Sequence, residues 1–293
     1  MSKKLFIIVN PKSGGNRGYE SFTLLRNVLE RDNINFEYVY TQYPGQASEI
    51  AFDLREKSYD AVVSVGGDGT AHQVINGLIG SGNLFGLIPA GSGNDFAKAA
   101  DIPLDIHSSI KTLINFKSKL IDLGKIDDNY FINGLGIGLD GAISFQFHKL
   151  KRYMGQFGYI VGSIIEAITF RGFQAEVDID DLKFNDKLLL TGASNGRFQG
   201  GKFQLAPGAV VDDGLLDFHI IEDMPVFSRL NIIPKALDGK HVSYKQVHIH
   251  QSKMMNIKLK SEIPAHMDGE SFYLKPGSHR IEVVPGALKI ISG

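Results

Sequence analysis

The string Gly66-Gly67-Asp68-Gly69-Thr70 joins a run of small apolar and β-branched residues, Ala61 to Val65, to a segment in which Val74, Ile75, Leu78 and Ile79 share one helical face. Strand, glycine turn and helix make a unit suited to phosphate. Glycines let the backbone approach an anion with no Cβ in the way. The helix start offers N–H groups and the positive end of its dipole, and Thr70 is placed to cap it. Asp68 is the exception, because a carboxylate beside phosphates repels them unless a cation or a water network lies between. This combination points to Mg²⁺–nucleotide chemistry. Gly-Gly-x-Gly alone is also a common tight turn, but the whole string behind a buried strand is much rarer. A Walker-type P-loop and a protein-kinase glycine loop are both absent from the sequence.

The elements that must position this string alternate through the first part of the chain. Leu5 to Val9 reads as a strand running into Asn10-Pro11-Lys12-Ser13-Gly14, with Lys12 and Arg17 available to neutralise charge. Leu24, Leu25, Val28 and Leu29 make a helical face, Phe36 to Tyr40 a strand stopping at Thr41, and Ala47 to Lys57 a modest helix. A strand from Leu84 to Pro89 ends in Gly91-Ser92-Gly93-Asn94-Asp95. Such alternation predicts a helix-covered, mostly parallel sheet. Ligands of these sheets sit outside the carboxyl ends of the strands, where Asn10, Thr41, Gly66 to Thr70 and Gly91 to Asp95 all fall.

From about Ser118 the rhythm changes to short strands with frequent turns, which predicts a β-sandwich-like second domain. Glu282 to Val284 and Leu288 to Ile291 read as two of those strands. We expect domains at residues 1–122 and 123–293. Lys149, Lys151 and Arg152 beside the apolar helix Phe157 to Ile168 could dock on a membrane or be the charged end of a core helix. His248 and His250 would share a strand face, but no third ligand has suitable spacing for zinc. Asp212-Asp213-Gly214 and Asp268-Gly269 both carry a strong turn signal.

With 293 residues, 43% of them hydrophobic and 22% charged, the chain can bury a sizeable core. A formal net charge of −1 argues against nucleic-acid binding. Cysteine is absent, which excludes disulfides and thiolate chemistry and fits the cytosol. Neither a signal peptide nor an apolar run of transmembrane length is expected, so a lipid substrate would be met at the bilayer surface.

Gly66 to Thr70 followed by Pro89-x-Gly91-Ser92-Gly93-Asn94-Asp95 resembles the bacterial diacylglycerol kinase-like lipid kinases, within the diacylglycerol, sphingosine and NAD kinase superfamily. Phosphofructokinases are more distantly similar. NAD kinases share the first motif and not the second. The resemblance continues through Asn10-Pro11-x-Ser13-Gly14, Asn133-Gly134-x-Gly136 with Asp140, Ala206-Pro207-x-Ala209 with Asp212-Asp213-Gly214, and Met267-Asp268-Gly269-Glu270. It departs at Gln46, where the family often has His, and at Gly15-Asn16, which displace Arg17.

The resemblance implies an α/β fold with a Rossmann-like, phosphofructokinase-like first domain and ATP and Mg²⁺ as cofactors. It implies phosphoryl transfer to a lipid hydroxyl, with diacylglycerol as the default acceptor. Asn10, Thr41, Gly66, Gly67, Asp68, Gly69, Thr70, Ala71, His72 and Ser92 resemble the ATP-binding residues, with Gly93, Asn94 and Asp95 beside them. Asp68 looks like the residue between triphosphate and metal. Asp213 resembles the ligand of a Mg²⁺ held in the second domain, with Val210 and Leu215 contributing backbone carbonyls. Glu270 matches the proton acceptor, and Asp268 is the other reading of that role. A cytoplasmic enzyme touching the inner membrane face, monomeric or a homodimer, is the implied setting. An NAD kinase-like enzyme and a non-catalytic nucleotide or lipid sensor are the rival readings.

Overall fold

The computed structural model of the chain describes residues 3–154 and 157–293, with the side chains at positions 148, 151–153, 157 and 159 outside that description. The chain divides into unit 1, residues 1–122 with 285–293, and unit 2, residues 123–284.

Unit 1 runs β1 (Lys4–Val9), α1 (Arg17–Arg31), β2 (Asn35–Tyr40), α2 (Gln46–Asp53), β3 (Ala61–Gly66), α3 (Asp68–Leu78), β4 (Phe85–Pro89), α4 (Asp95–Ala99), α5 (Ile106–Asn115) and the start of β5 (Ser118–Ile126). The strands lie in the order β4-β3-β1-β2, all parallel. Every residue of β3 and β4 is buried, as expected for strands covered on both faces. The order reverses between β1 and β3, so the switch point of the sheet opens beside Asn10 and Gly66. α1 buries Gly18, Phe22, Leu25 and Leu29; Leu24, expected on that face, points outward, because the seam follows steps of three and four from Gly18. α2 ends at Asp53, short of Lys57. α5 is an addition to the sequence reading, capped by Asp105, which accepts the Ser108 N–H at 2.9 Å.

Unit 2 begins with the rest of β5 and β6 (Asn129–Phe131), β7 (Gly134–Gly138), α6 (Leu139–Met154) and α7 (Phe157–Thr169). It continues with β8 (Phe173–Ile179), β9 (Leu182–Ser194), β10 (Leu216–Glu222), α8 (Val226–Lys235), β11 (Val247–Ser252), β12 (Met254–Leu259), β13 (Ile263–Met267), β14 (Glu270–Leu274) and β15 (Gly277–Ile291). Its strands pair antiparallel in the order β14-β13-β7-β9-β8-β12-β15, with β10 against β9 and β11. A large apolar cluster including Leu135, Phe218, Ile257 and Ile281 fills this β-sandwich-like unit.

The two strands expected at Glu282 to Val284 and Leu288 to Ile291 are one. β15 passes through Pro285-Gly286 without ending, because Gly286 takes a φ of +59° and donates its N–H to Asp122 Oδ1 at 2.8 Å. Its last part returns to unit 1, where Ile290 pairs parallel with Phe85 of β4. His248 and His250 each hold a carboxylate of their own, Glu222 at 2.8 Å and Asp180 at 3.0 Å. Among the described residues no group of three or more His, Cys, Asp or Glu side chains is set to hold a metal.

Candidate active site

In unit 1 the loops leaving β1, β3 and β4 touch one another. Asn10 donates its backbone N–H to Val65 O at 2.9 Å and its Nδ2–H to Thr70 Oγ1 at 3.1 Å. Ser13 Oγ donates to Ala90 O at 3.3 Å. Arg17 donates from Nε to Gly14 O at 3.0 Å and from Nη2 to Gly91 O at 2.7 Å, tying two glycine loops with one guanidinium. Thr41 sits beside the same strand ends, its N–H on Val9 O at 2.8 Å. A Cβ on Gly91 would stand 2.4 Å from Gly67 Cα, and one on Gly67 would stand 2.9 Å from Gly91 Cα. Only glycine at both positions allows these backbones to meet.

Asp68 lies in the first turn of α3, where the helix dipole favours a carboxylate. Its Oδ1 also accepts the Phe96 N–H at 3.0 Å and so ties α3 to the start of α4. Asn94, at φ +53°, closes the 91–94 turn by accepting the Gly91 N–H at 2.8 Å. Asp95 is paired with Lys98 at 3.0 Å. Gly93 lies alongside, since a Cβ there would stand 3.1 Å from Asp68 Oδ2. Ser92 is exposed at the rim. Ala71 and His72 continue the first turns of α3, with His72 O accepting from Asn76 Nδ2 at 3.0 Å. One expectation fails: Thr70 does not cap α3. The helix starts earlier, from Gly67 in extended conformation with no side-chain cap, and Thr70 is spent instead on holding Asn10.

In unit 2, Asp268 and Gly269 form the two-residue turn between β13 and β14, with φ of +50° and +89°. Positive φ at both central residues is the geometry that suits a tight hairpin. The Asp268 carboxylate accepts three backbone N–H groups, those of Ile132, Asn133 and Gly134, at 2.8, 2.8 and 2.9 Å. Glu270, two residues on, is exposed. Behind the turn lies a buried pair that the sequence reading did not single out. His266 Nε2 meets Asp140 Oδ2 at 2.8 Å, and Gly269 donates its N–H to His266 Nδ1 at 3.3 Å. Burial works against charge on both groups, but each favours the other's charged form, leaving Asp140 below and His266 above its ordinary pKa. A Cβ on Gly136 would come within 2.3 Å of Asp140 Oδ2, which accounts for the glycine there. Ser144 of α6 adds a bond from Oγ to Gly269 O at 2.9 Å. His266 directly precedes the turn motif, but Asp140 is 126 residues away, so no local signal announces the pair.

Asp213 sits in the turn before β10, accepting the Leu215 N–H on Oδ1 at 3.0 Å, with Val210 partly exposed upstream. Burial pushes the nearby Asp217 carboxyl up, and the charge of Asp213 adds to that. Carboxylate oxygens such as those of Asp213 and Asp217 suit a hard cation. Asp217 is opposite Ser194, and Ser194 is opposite Gly134, whose carbonyl accepts the Asp268 N–H. Asp217 and the Asp268 turn therefore lie at the same end of the sheet, three strand spacings apart.

The pattern of the diacylglycerol kinase catalytic domain matches residues 4–126, and that of the YegS C-terminal NAD kinase beta sandwich-like domain matches residues 134–292. A diacylglycerol kinase of Staphylococcus saprophyticus is 30% identical over 283 residues, covering 95% of this chain and 92% of its own. One of Bacillus subtilis is 28% identical over 279 residues, with coverage of 94% and 92%. A crystal structure from Bacillus anthracis superposes with a TM-score of 0.82 at 24% identity, covering 100% of this chain and 97% of that one. A second, described as a diacylglycerol kinase, gives 0.74 at 20% identity with the same coverage; at such identities these two establish the fold. The motifs, their geometry and the relatives agree: this chain belongs to the family of bacterial diacylglycerol kinase-like lipid kinases.

Proposed function

We propose that the chain transfers the γ-phosphoryl group of ATP, with Mg²⁺, to the hydroxyl of a membrane lipid, diacylglycerol foremost, giving phosphatidic acid and ADP. The observation that carries this reading is the approach of Gly67 to Gly91, which brings two glycine loops and the start of α3 to one rim of unit 1. Backbone N–H groups there suit a triphosphate, with Asn10, Thr41, Ala71, His72 and Ser92 around it. Asp68 would hold Mg²⁺ beside the phosphates, where the ion offsets charge that builds up on their oxygens. Asp213 would hold a second Mg²⁺ with the carbonyls of Val210 and Leu215. That ion would steady the loop before β10.

Of the two acids in the turn, Glu270 suits the base. Asp268 has its oxygens on three N–H groups and shapes the turn. Glu270 takes the acceptor's hydroxyl proton as that oxygen bonds to the γ-phosphorus and the bond to the β–γ bridging oxygen breaks. Gly91 to Asp95 separates this reading from an NAD kinase. Radiolabelled ATP, supplied to the enzyme with diacylglycerol micelles and separately with NAD, is expected to label only the lipid. Label on NAD, or on no lipid across a panel, would overturn the reading and in the second case favour a sensor. Glu270→Gln is expected to lower turnover about 10²–10⁴-fold with nucleotide affinity unchanged, and equal losses in both would count against a base at that position.

A further inference from the structure

α7 has a single charged residue, Glu166. A helix apolar on all sides is normally enclosed, because no face of it is suited to water. One side of α7 is enclosed: Ser163 and Ala167 are buried, and α6 and α8 pack against the helix. The other side is open. Ile160, Ile164 and Ile168 are 51%, 47% and 51% exposed. Spaced four apart, they form a straight row about 12 Å long.

Buried Arg229 ties α8 to the end of α7. Its Nη1 donates to the carbonyls of Ala167 and Phe170 at 3.3 and 2.6 Å, and its Nη2 to Asp223 Oδ1 at 2.6 Å. The first turn of α8 is thereby clamped to the end of α7, and Phe227 stands there 87% exposed. Lys149 and Arg171 are exposed on either side of the row in sequence. Glu166, the one acid on the helix, is partly buried with Lys149 as its charged neighbour. Asp223 is neutralised by Arg229 and Lys187. The side chains of Lys151, Arg152 and Phe157, which belong to the same basic and apolar stretch, lie outside the described residues.

A stable dimer buries about 800 Å² on each partner, and three isoleucines with one phenyl ring fall well short of that. A bilayer surface is satisfied by a short apolar row flanked by basic residues. We propose that the edge of α7 formed by Ile160, Ile164 and Ile168, with Phe227, seats the protein on an anionic bilayer, Lys149 and Arg171 meeting the headgroups. The inference rests on the lipid-acceptor reading. It gives a chain with no helix, among the described residues, long and apolar enough to cross a membrane a way to reach an acceptor held in one.

Flotation with phosphatidylcholine–phosphatidylglycerol vesicles, without nucleotide or diacylglycerol, reads the seat independently of the chemistry. The wild type is expected to float with these vesicles and less with phosphatidylcholine alone. Ile164→Ser, Ile168→Ser and Phe227→Ser should each weaken vesicle binding about tenfold, with unfolding temperature and turnover of a short-chain acceptor in detergent kept. A Lys149→Glu, Arg171→Glu variant, which spares the apolar row, should lose only the preference for phosphatidylglycerol. Undiminished flotation of an Ile164→Ser, Ile168→Ser double variant would overturn the proposal. So would a wild type that never floats, or a dimer in light scattering that the double variant splits. Flotation through this edge by a protein that labels no lipid would leave the seat standing and remove the acceptor reading instead.

Discussion

His266 answers to two neighbours at once. With its proton on Nε2 it donates to Asp140, and its Nδ1 receives the Gly269 N–H. A second proton would strengthen the attraction to Asp140 and displace Gly269. The ring is therefore a positioning residue for the turn that carries Glu270. His266→Ala would leave Asp140 charged, buried and alone, at a cost of about 3–5 kcal/mol, read as a lowered urea midpoint. His266→Gln keeps a donor toward Asp140 and should recover part of the loss. Positioning has a second mark that a merely structural role lacks: His266→Gln is expected to lower turnover per folded molecule with nucleotide affinity unchanged.

At the scale of elements, the loops of unit 1 depend on a close approach that a single methyl group would spoil. Gly91→Ala puts a Cβ 2.4 Å from Gly67 Cα, and neither backbone can yield cheaply. We expect about 1–3 kcal/mol of destabilisation; on the proposed reading ATP should raise the unfolding temperature of the wild type and not that of the variant. A variant that kept that rise would show that the two loops need not touch.

These loops were legible in the sequence because each is short, local and glycine-marked after an apolar run. What escaped was set at long range. β13 and β14 have no alternating pattern, with Pro264 inside β13, and their pairing depends on β7, far earlier in the chain. Pro285-Gly286 reads as a break, yet the bond to Asp122 carries β15 through it. Thr70 looked like a cap because its spacing fits one, and only the structure shows Asn10 using it. The Asp268–Gly269 turn had its own local signal, the role of Glu270 and the singling out of Asp140 came from family resemblance, and the pairing of Asp140 with His266 had no sequence signal.

Across the whole molecule, two buried histidines respond to pH with opposite sign. Burial drives His219 down to about 4 despite the pull of Asp140, and neither of its ring nitrogens has a hydrogen-bond partner among the described residues. A depressed folded pKa means that this contribution is complete above the ordinary value near 6.5 and is lost as the pH falls toward 4, about 3 kcal/mol in all. His266, raised in the folded state, stabilises below about 6.5 and stops doing so as the pH climbs through its folded value. Below about 6.5 the His266 contribution is already complete, so His219 sets the histidine slope in acid. Urea midpoints are expected to fall between pH 6.5 and 4.5, and His219→Leu should flatten that fall. An unchanged slope in the variant would remove His219 from the account.

The return of β15 to unit 1 has a consequence for how the protein is born. Ile290 and Ile291 are fully enclosed, one against β4 and the other within the apolar cluster of unit 1. These residues leave the ribosome only after all of unit 2 has been synthesised. Until then the parallel sheet waits with the flank of β4 bare, a sticky border of unpaired peptide groups. Unit 1 therefore cannot complete itself on its own schedule, and a chaperone that shields that border during translation would act on unit 1 long after its last helix is made.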